Sequence, residues 1–376
     1  QALAGARAPL AMSDDEAADE LDRLQRPAVQ GQRMADVPLG AFLSGGIDSS
    51  TVVGVMQSLA QEPVRSFTIG LADSDLDESA HARAVAAHLG TQHTELVLTA
   101  QDALAVIPRL PQLYCEPFAD ASQIPTFLVS QLARQQVTVA LSGDAGDELF
   151  GGYERYRWTQ RVAGVHLALR RAAGWGLGLL PAEAWAALST PVSPLLPREL
   201  REGDRADRLR KLATVLGART DDEVYRQMVS FWPASTTPVP GAGAAPSVFD
   251  EPAPALAFED RMMLLDLRSY LPDDILVKVD RAAMAASLET RVPLLDHRLV
   301  EFALRLPLHQ KMRGGQGKWL LRRVLDRYVP RPLVERRKMG FGIPIHEWLR
   351  GQWRDWAESL LDAPSLRAAG LIVPAP

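Results

Sequence analysis

Cysteine is almost missing from this chain: Cys115 is the only one in 376 residues. A lone thiol excludes an intrachain disulfide framework and fits a reducing, cytoplasmic setting. Histidine is also scarce, with seven residues and no HExxH or mixed Cys/His spacing. His81 and His88 lie on a helical stretch and read as exposed polar positions, not as metal ligands. No apolar run approaches the roughly 18 residues that cross a bilayer, so no membrane span is expected. A basic excess is lacking too: 41 Lys and Arg against 46 Asp and Glu give a net charge of −5, which speaks against a broad nucleic-acid surface. No basic and apolar secretory leader is visible. The chain opens on Gln1 without a Met, so an upstream segment is expected.

With 47% hydrophobic and 23% charged residues, the composition is that of a globular protein with a substantial core. Residues 1–35 read as a linker and a leading helix near Asp14–Leu24. From Val37 short apolar runs alternate with helical periodicity: strands at Leu39–Leu43, Val64–Ile69, Glu95–Leu98 and Val137–Leu141, helices at Ser49–Leu59, Glu78–Leu89 and Pro125–Arg134. That alternation predicts an α/β class, a parallel sheet with helices on both faces. Beyond about Tyr156 the strand signal fades. Helices are expected at Ala163–Leu180, Glu259–Leu271, Leu299–Leu306 and Trp319–Arg327, with a loop or linker at Pro233–Pro254. The expected layout is thus a nucleotide-binding core over 36–160 and a mainly helical part of the same domain over 161–376.

The strongest motif is Leu43-Ser44-Gly45-Gly46-Ile47-Asp48-Ser49-Ser50, between a buried strand and a helix. Two glycines allow a tight turn, and the following helix start offers unpaired amide hydrogens at its positive dipole end. Such a corner holds pyrophosphate. Asp48 would repel that anion unless a cation intervenes, so it reads as a magnesium ligand. An ordinary strand–turn–helix corner is the plain alternative, but the full string differs from GxxxxGK[ST] and GxGxxG and is the pyrophosphate-loop (PP-loop) signature of enzymes that cleave ATP between its α and β phosphates. A second cluster, Ser142-Gly143-Asp144-Ala145-Gly146-Asp147-Glu148, follows the strand Val137–Leu141. Its three acids need a cation or a basic partner, unless the segment is a solvated turn. Asp147 is the second expected magnesium ligand. Both motifs stand at carboxyl ends of strands and can face one cleft.

Together the motifs resemble the synthetase domain of the class B, glutamine-hydrolysing asparagine synthetase family. The resemblance continues through Asp280-Arg281-Ala282, Leu288–Asp296, Gly317–Arg322, Lys338–Pro344 and Trp348. It implies an ATP-pyrophosphatase fold and a two-step reaction. A carboxylate, aspartate being favoured, is adenylated by Mg-ATP, and ammonia then displaces AMP to give asparagine. By the same resemblance, Leu43, Ile69, Ser142 and Gly143 contact the nucleotide, and Ser44, Gly45, Gly46 and Ser49 hold the pyrophosphate. Asp144 takes the place of an acid that handles the amine's proton. Lys318 matches a lysine that neutralises charge on the α-phosphate and oxyanion, although a solvated helix-start lysine is the plainer reading of its position. The family's glutaminase domain, with a leading nucleophilic cysteine, has no counterpart here. It is expected upstream or absent, leaving ammonia as the nitrogen source for this chain. A homodimer is compatible with the sequence.

Some readings stay open. Relatives use an arginine near the helix before the second motif to recognise aspartate, whereas Phe118–Ile124 has none; Arg281 and Arg291 are the substitutes, or Arg291 pairs with Glu289 or Asp296. Sugar acids, β-amino acids and peptides are alternative acceptors. An enzyme adenylating tRNA bases and a non-catalytic nucleotide-binding scaffold are the readings from other classes. Cys115 reads as a packed thiol. Arg201–Lys211 and Arg331–Lys338 read as solvated helix faces, with Lys338 a candidate to close over pyrophosphate.

Overall fold

The computed structural model describes residues 8–71, 77–179, 181, 184, 205–230, 239–242, 246–251, 256–336 and 342–372. Lys338 with its neighbours 337–341, residues 201–204 and most of Pro233–Pro254 lie outside the described residues. By compactness the chain divides into two units, Gln1–Gly152 with Met263–Ser359, and Tyr153–Met262 with Leu360–Pro376.

The first unit is built on a five-stranded sheet in the order β3-β2-β1-β4-β5. Its strands are β1 (Leu39–Phe42), β2 (Arg65–Leu71), β3 (Gln92–Leu98), β4 (Val139–Leu141) and β5 (Glu289–Arg291). Every pairing is parallel, as the strand–helix alternation requires. β2 is buried over six of its seven residues and β4 over all three, the continuous apolar run of a strand covered on both faces. The chain moves outward from β1 through β2 to β3, then returns to β1's other side with β4. That reversal opens a crevice at the carboxyl ends of β1 and β4.

Helix α1 (Asp14–Gln32) starts in a capping box in which Ser13 and Glu16 each accept the other's backbone N–H. It runs eight residues past the expected end at Leu24, straight through Pro27. Burial of Ala28 and Val29 beyond the proline continues the apolar stripe of Ala17, Leu21 and Leu24, and that packing outweighs the lost N–H. The stripe shares a core with Leu320, Leu321, Val324 and Leu325 of α7 (Trp319–Leu325). Helices α2 (Ile47–Ser58), α3 (Ser79–Leu89) and α4 (Gln123–Arg134) follow β1, β2 and β3, and the short α5 (Gly146–Phe150) follows β4.

Three sequence expectations need correction. The single helix expected over Ala163–Leu180 is two, Glu154–Ala163 and Leu167–Gly178, parted at Gly164. The helix expected over Glu259–Leu271 stops at Arg268, and a π-helical turn (Leu271–Leu276) carrying Pro272 leads into α6 (Val277–Ala285). A missing proline N–H is a physical reason for the ladder to widen there. Finally, β5 adds a strand in a region that carried no strand signal. In the second unit, Val162, Val215, Ala218 and Val224 form a small core among helices. Among the described residues, no helix is long and apolar enough to cross a membrane.

Candidate active site

The site is built where β1 and β4 end. The Leu43 N–H extends the ladder to the Phe67 carbonyl at 2.9 Å, after which the chain turns through Ser44, Gly45 and Gly46. Gly45 adopts φ +73°, which a side chain would strain. α2 then begins at Ile47 with Gly46 as its N-cap and no side chain capping its first amides. The loop is held from within: Ser44 and Ser49 hydroxyls lie 3.0 Å apart, and the Gly46 N–H donates to Ser44 Oγ at 3.3 Å. Ser50, by contrast, is fully buried behind the loop. Leu43 and Ile69 sit near the carboxyl ends of neighbouring strands, both buried.

The second motif lies directly against the first. A Cβ on Gly143 would sit 2.6 Å from the Ser49 backbone N and 2.8 Å from the Asp48 carbonyl carbon, so only glycine permits this approach. Ser142 is fixed by its N–H to the Arg291 carbonyl of β5 at 2.8 Å, and its hydroxyl donates to Asp144 Oδ2 at 2.5 Å. Burial pushes the Asp144 carboxyl above its ordinary range. The Ser142 hydrogen bond and the charges of Lys278 and Lys318 oppose the rise without cancelling it.

Lys318 closes the arrangement. Its backbone is left-handed at φ 57°, uncommon for a side-chain-bearing residue, and its N–H donates to the Phe150 carbonyl at 2.9 Å. The side chain is buried, and its ammonium lies between two carboxylates, bonded to Asp48 and 2.7 Å from Asp147 Oδ1. Burial alone would lower the lysine's pKa, but the two carboxylates outweigh it and hold the group above its ordinary value. Lys318 is therefore no solvated lysine. Asp48, Asp144, Asp147 and Lys318, drawn from three distant segments, meet at one place.

Among the described residues no three His, Cys, Asp or Glu side chains gather as a ready metal cage. Asp48 and Asp147 nevertheless converge on a single cationic centre, the Lys318 ammonium. Two hard carboxylate oxygens fit magnesium, which ordinarily takes a few protein ligands and completes its shell with water and phosphate.

Several residues with a bearing on the site were not legible beforehand. Lys278 of α6 is buried and donates to Asp120 Oδ2 at 2.6 Å. Arg336, expected on a solvated face, is mostly buried; its Nη2 lies 2.7 Å from Glu78 and donates to the Ser44 carbonyl at 3.2 Å, so it steadies the glycine loop. Of the arginines considered for substrate contact, Arg281 is exposed, and Arg291 binds Glu289 and the carbonyls of Gln32 and Met34. Asp296 pairs with Arg298. Cys115 is exposed, not packed; it follows the short helix Leu110–Tyr114 at φ 61°, where Tyr114 turns inward and the next side chain faces solvent. His81 and His88 are exposed, as expected.

Comparison with known proteins agrees with this geometry. The asparagine synthase family model matches residues 20–375. The chain is 28% identical over 357 residues to asparagine synthetase [glutamine-hydrolyzing] 1 of Bacillus subtilis, covering 94% of this chain and 54% of that protein. It is 35% identical over 363 residues to a putative asparagine synthetase [glutamine-hydrolyzing] of Mycobacterium bovis, covering 94% and 52%. To asparagine synthetase B [glutamine-hydrolyzing] of Escherichia coli it is 33% identical over 167 residues, 39% of this chain and 29% of that one. It spans about half the length of the first two relatives. The chain belongs to the asparagine synthase family.

Proposed function

We propose that this chain carries out ATP-dependent amide synthesis, activating a carboxylate, aspartate being favoured, as its adenylate and transferring it to ammonia. The observation that carries this reading is the meeting of Asp48, Asp147 and Lys318 beside the uncapped start of α2. An amide cannot form directly from a carboxylate because oxide is not a usable leaving group. Attack of a carboxylate oxygen on the α-phosphorus breaks the α–β phosphoanhydride, and pyrophosphate leaves with the bonding pair. Ammonia then attacks the acyl carbon, the bond to AMP breaks, and a nitrogen-bound proton must be removed.

Ser44, Gly45, Gly46 and Ser49 present backbone and hydroxyl donors suited to the departing pyrophosphate. Leu43, Ile69, Ser142 and Gly143 are the proposed nucleotide contacts. Asp48 and Asp147 would hold Mg2+, which when bound neutralises phosphate charge. Lys318 then exchanges its carboxylate partners for oxygens of the α-phosphate, where a preorganised positive charge stabilises the developing negative one. Asp144, whose carboxyl burial pushes upward, is the proposed acceptor of the ammonia proton. Relatives named as glutamine-hydrolysing are about twice this chain's matched length, in keeping with a glutaminase portion outside the shared region. The proposal for this chain alone is therefore ammonia, in a cytoplasmic setting.

The test is pyrophosphate release from Mg-ATP and ammonia, with and without L-aspartate, with the product identified by mass. Asparagine formed with one pyrophosphate per turnover supports the full reading. Release only with a different acid keeps the chemistry and replaces the substrate. Silence with every acid, from protein that binds ATP, overturns it.

A further inference from the structure

Arg336 joins two segments beside the glycine loop, and its support is well anchored. Its Nη2 lies 2.7 Å from Glu78 Oε1 and donates to the Ser44 carbonyl at 3.2 Å, one hydrogen for each. Glu78 is buried, and its neighbours are tied down. Asp77 Oδ1 accepts the N–H of Leu71, the last residue of β2, at 3.2 Å and that of Ser79 at 3.0 Å. The Ser79 hydroxyl donates to the other Asp77 oxygen at 3.0 Å. The Glu78 carbonyl accepts the N–H groups of His81 and Ala82, both at 3.1 Å. This start of α3 stands against the loop, since a Cβ on Gly45 would sit 2.8 Å from the Ala82 backbone N. The guanidinium is thus braced on one side and grips a loop carbonyl on the other.

The effect of that grip follows from the shape of a peptide. Across a planar trans bond the carbonyl of one residue and the N–H of the next point in opposite directions. Among the described residues every peptide is trans. Drawing the Ser44 oxygen toward Arg336 therefore turns the Gly45 N–H the other way. The neighbouring loop amides are occupied: the Ser44 N–H donates to Ser49 Oγ at 3.2 Å and the Gly46 N–H to Ser44 Oγ at 3.3 Å. The Gly45 N–H has no acceptor among the described residues, and it stands just ahead of the uncapped amides of α2. Glycine lacks the side chain that would resist rotation of this peptide. Turned over, the peptide would present a carbonyl oxygen where an anion is to lie, losing a donor and adding a repulsive dipole.

We propose that Arg336 is a positioning residue for the nucleotide: by holding the Ser44 carbonyl, it keeps the Gly45 N–H turned toward the β- and γ-phosphates of ATP. This rests on the reading of the loop as a pyrophosphate cradle, and it adds the residue that fixes the polarity of that cradle.

The experiment is calorimetric titration of the full chain, in Mg2+, with AMP and with a non-cleavable ATP analogue. The ratio of the two affinities isolates what the β- and γ-phosphates contribute, and wild type is expected to bind the analogue more tightly. In Arg336→Met the ratio falls on the order of tenfold, the worth of one hydrogen bond to a charged group, while AMP affinity stays within about threefold. Arg336→Lys, a cation able to donate to the same carbonyl, recovers part of the ratio. Glu78→Gln/Arg336→Met removes both charges and leaves the net charge unchanged. Its ratio is expected to stay as low as that of Arg336→Met, which separates peptide orientation from loss of a positive charge near the phosphates. It also leaves no buried carboxylate without its partner, so it carries the test where Arg336→Met does not fold. The inference is overturned if Arg336→Met keeps the wild-type ratio, if AMP weakens as much as the analogue, or if the double variant regains the wild-type ratio. A wild type that binds AMP and the analogue equally would instead sink the pyrophosphate reading of the loop, and this inference with it.

Discussion

Two buried lysines, Lys318 and Lys278, are built in opposite ways. Lys318 has a left-handed backbone, two carboxylate partners and a place at the tight corner where three segments meet. Lys278 sits inside a regular helix with one carboxylate partner and two donors to spare. The first is suited to a charge that changes during reaction, since it already balances two acids and can be traded between them and phosphate. The second is suited to a charge that does not change, tied to Asp120 at the entrance to α4.

The comparison can be broken most forcefully at Lys318. Lys318→Met leaves Asp48 and Asp147 facing each other, and the expected result is a rate loss on the order of a hundredfold or more. Without magnesium, the loss of a buried ion-pair partner should also cost about 3–5 kcal/mol of stability. Adding Mg2+ should recover part of that cost in the variant and much less in wild type, as read by thermal unfolding. Equal stability of the two proteins in chelator would show that the ammonium does not balance these acids.

Gly143→Ala attacks the corner from its other side. The new methyl meets the backbone of α2, an overpacking worth about 1–3 kcal/mol, and ATP affinity should fall. Unchanged ATP affinity would contradict a nucleotide site at this corner. Asp144→Asn gives a smaller, pH-dependent effect. Because burial raises the folded-state pKa of Asp144 above the ordinary carboxyl range, ionising it costs stability. That part of wild-type stability is fully present below the unfolded pKa and is lost as pH rises through the folded one. The amide variant should therefore gain on wild type as pH rises from below the ordinary carboxyl range toward neutral. Urea unfolding at both ends of that range measures it, and a constant difference would rule out the shift. Smallest of all is Arg83→Ala, which breaks a largely exposed pair with Glu95; it should change stability by at most about 1 kcal/mol and leave both binding steps untouched.

The corner was legible in the sequence because its signals are local. Ser44-Gly45-Gly46 followed by Asp48 and Ser49 writes a turn, a helix start and a charge in consecutive residues, and β1, β2 and β4 are apolar enough to announce themselves. β5 was invisible because Glu289, Thr290 and Arg291 carry no apolar pattern; it is a three-residue strand at the sheet's end, defined by pairing with β4. The helix expected to end at Leu271 left out the π-helical route into α6, which carries Pro272. Lys278 looked like any helical lysine, since its partner lies 158 residues away. A weak clue did exist: Asp120 two residues before Ser122, at a helix entrance, is the spacing of a side chain that folds back onto its own backbone.

The attachments of helix α1 bear on how the protein is made. Asp14 meets Arg313, Asp15 meets Arg323, Asp19 meets Arg327, and the Tyr328 hydroxyl donates to Asp22. Partners separated by 299 to 308 residues clasp along its length, above a shared apolar core. During synthesis this helix leaves the ribosome roughly 300 residues before the segments that cover its apolar stripe. Such long-range closure is slow and leaves that stripe open to wrong partners in the meantime. Its dense row of aspartates keeps the waiting helix charged, so the same side chains that later fasten it first keep it from sticking.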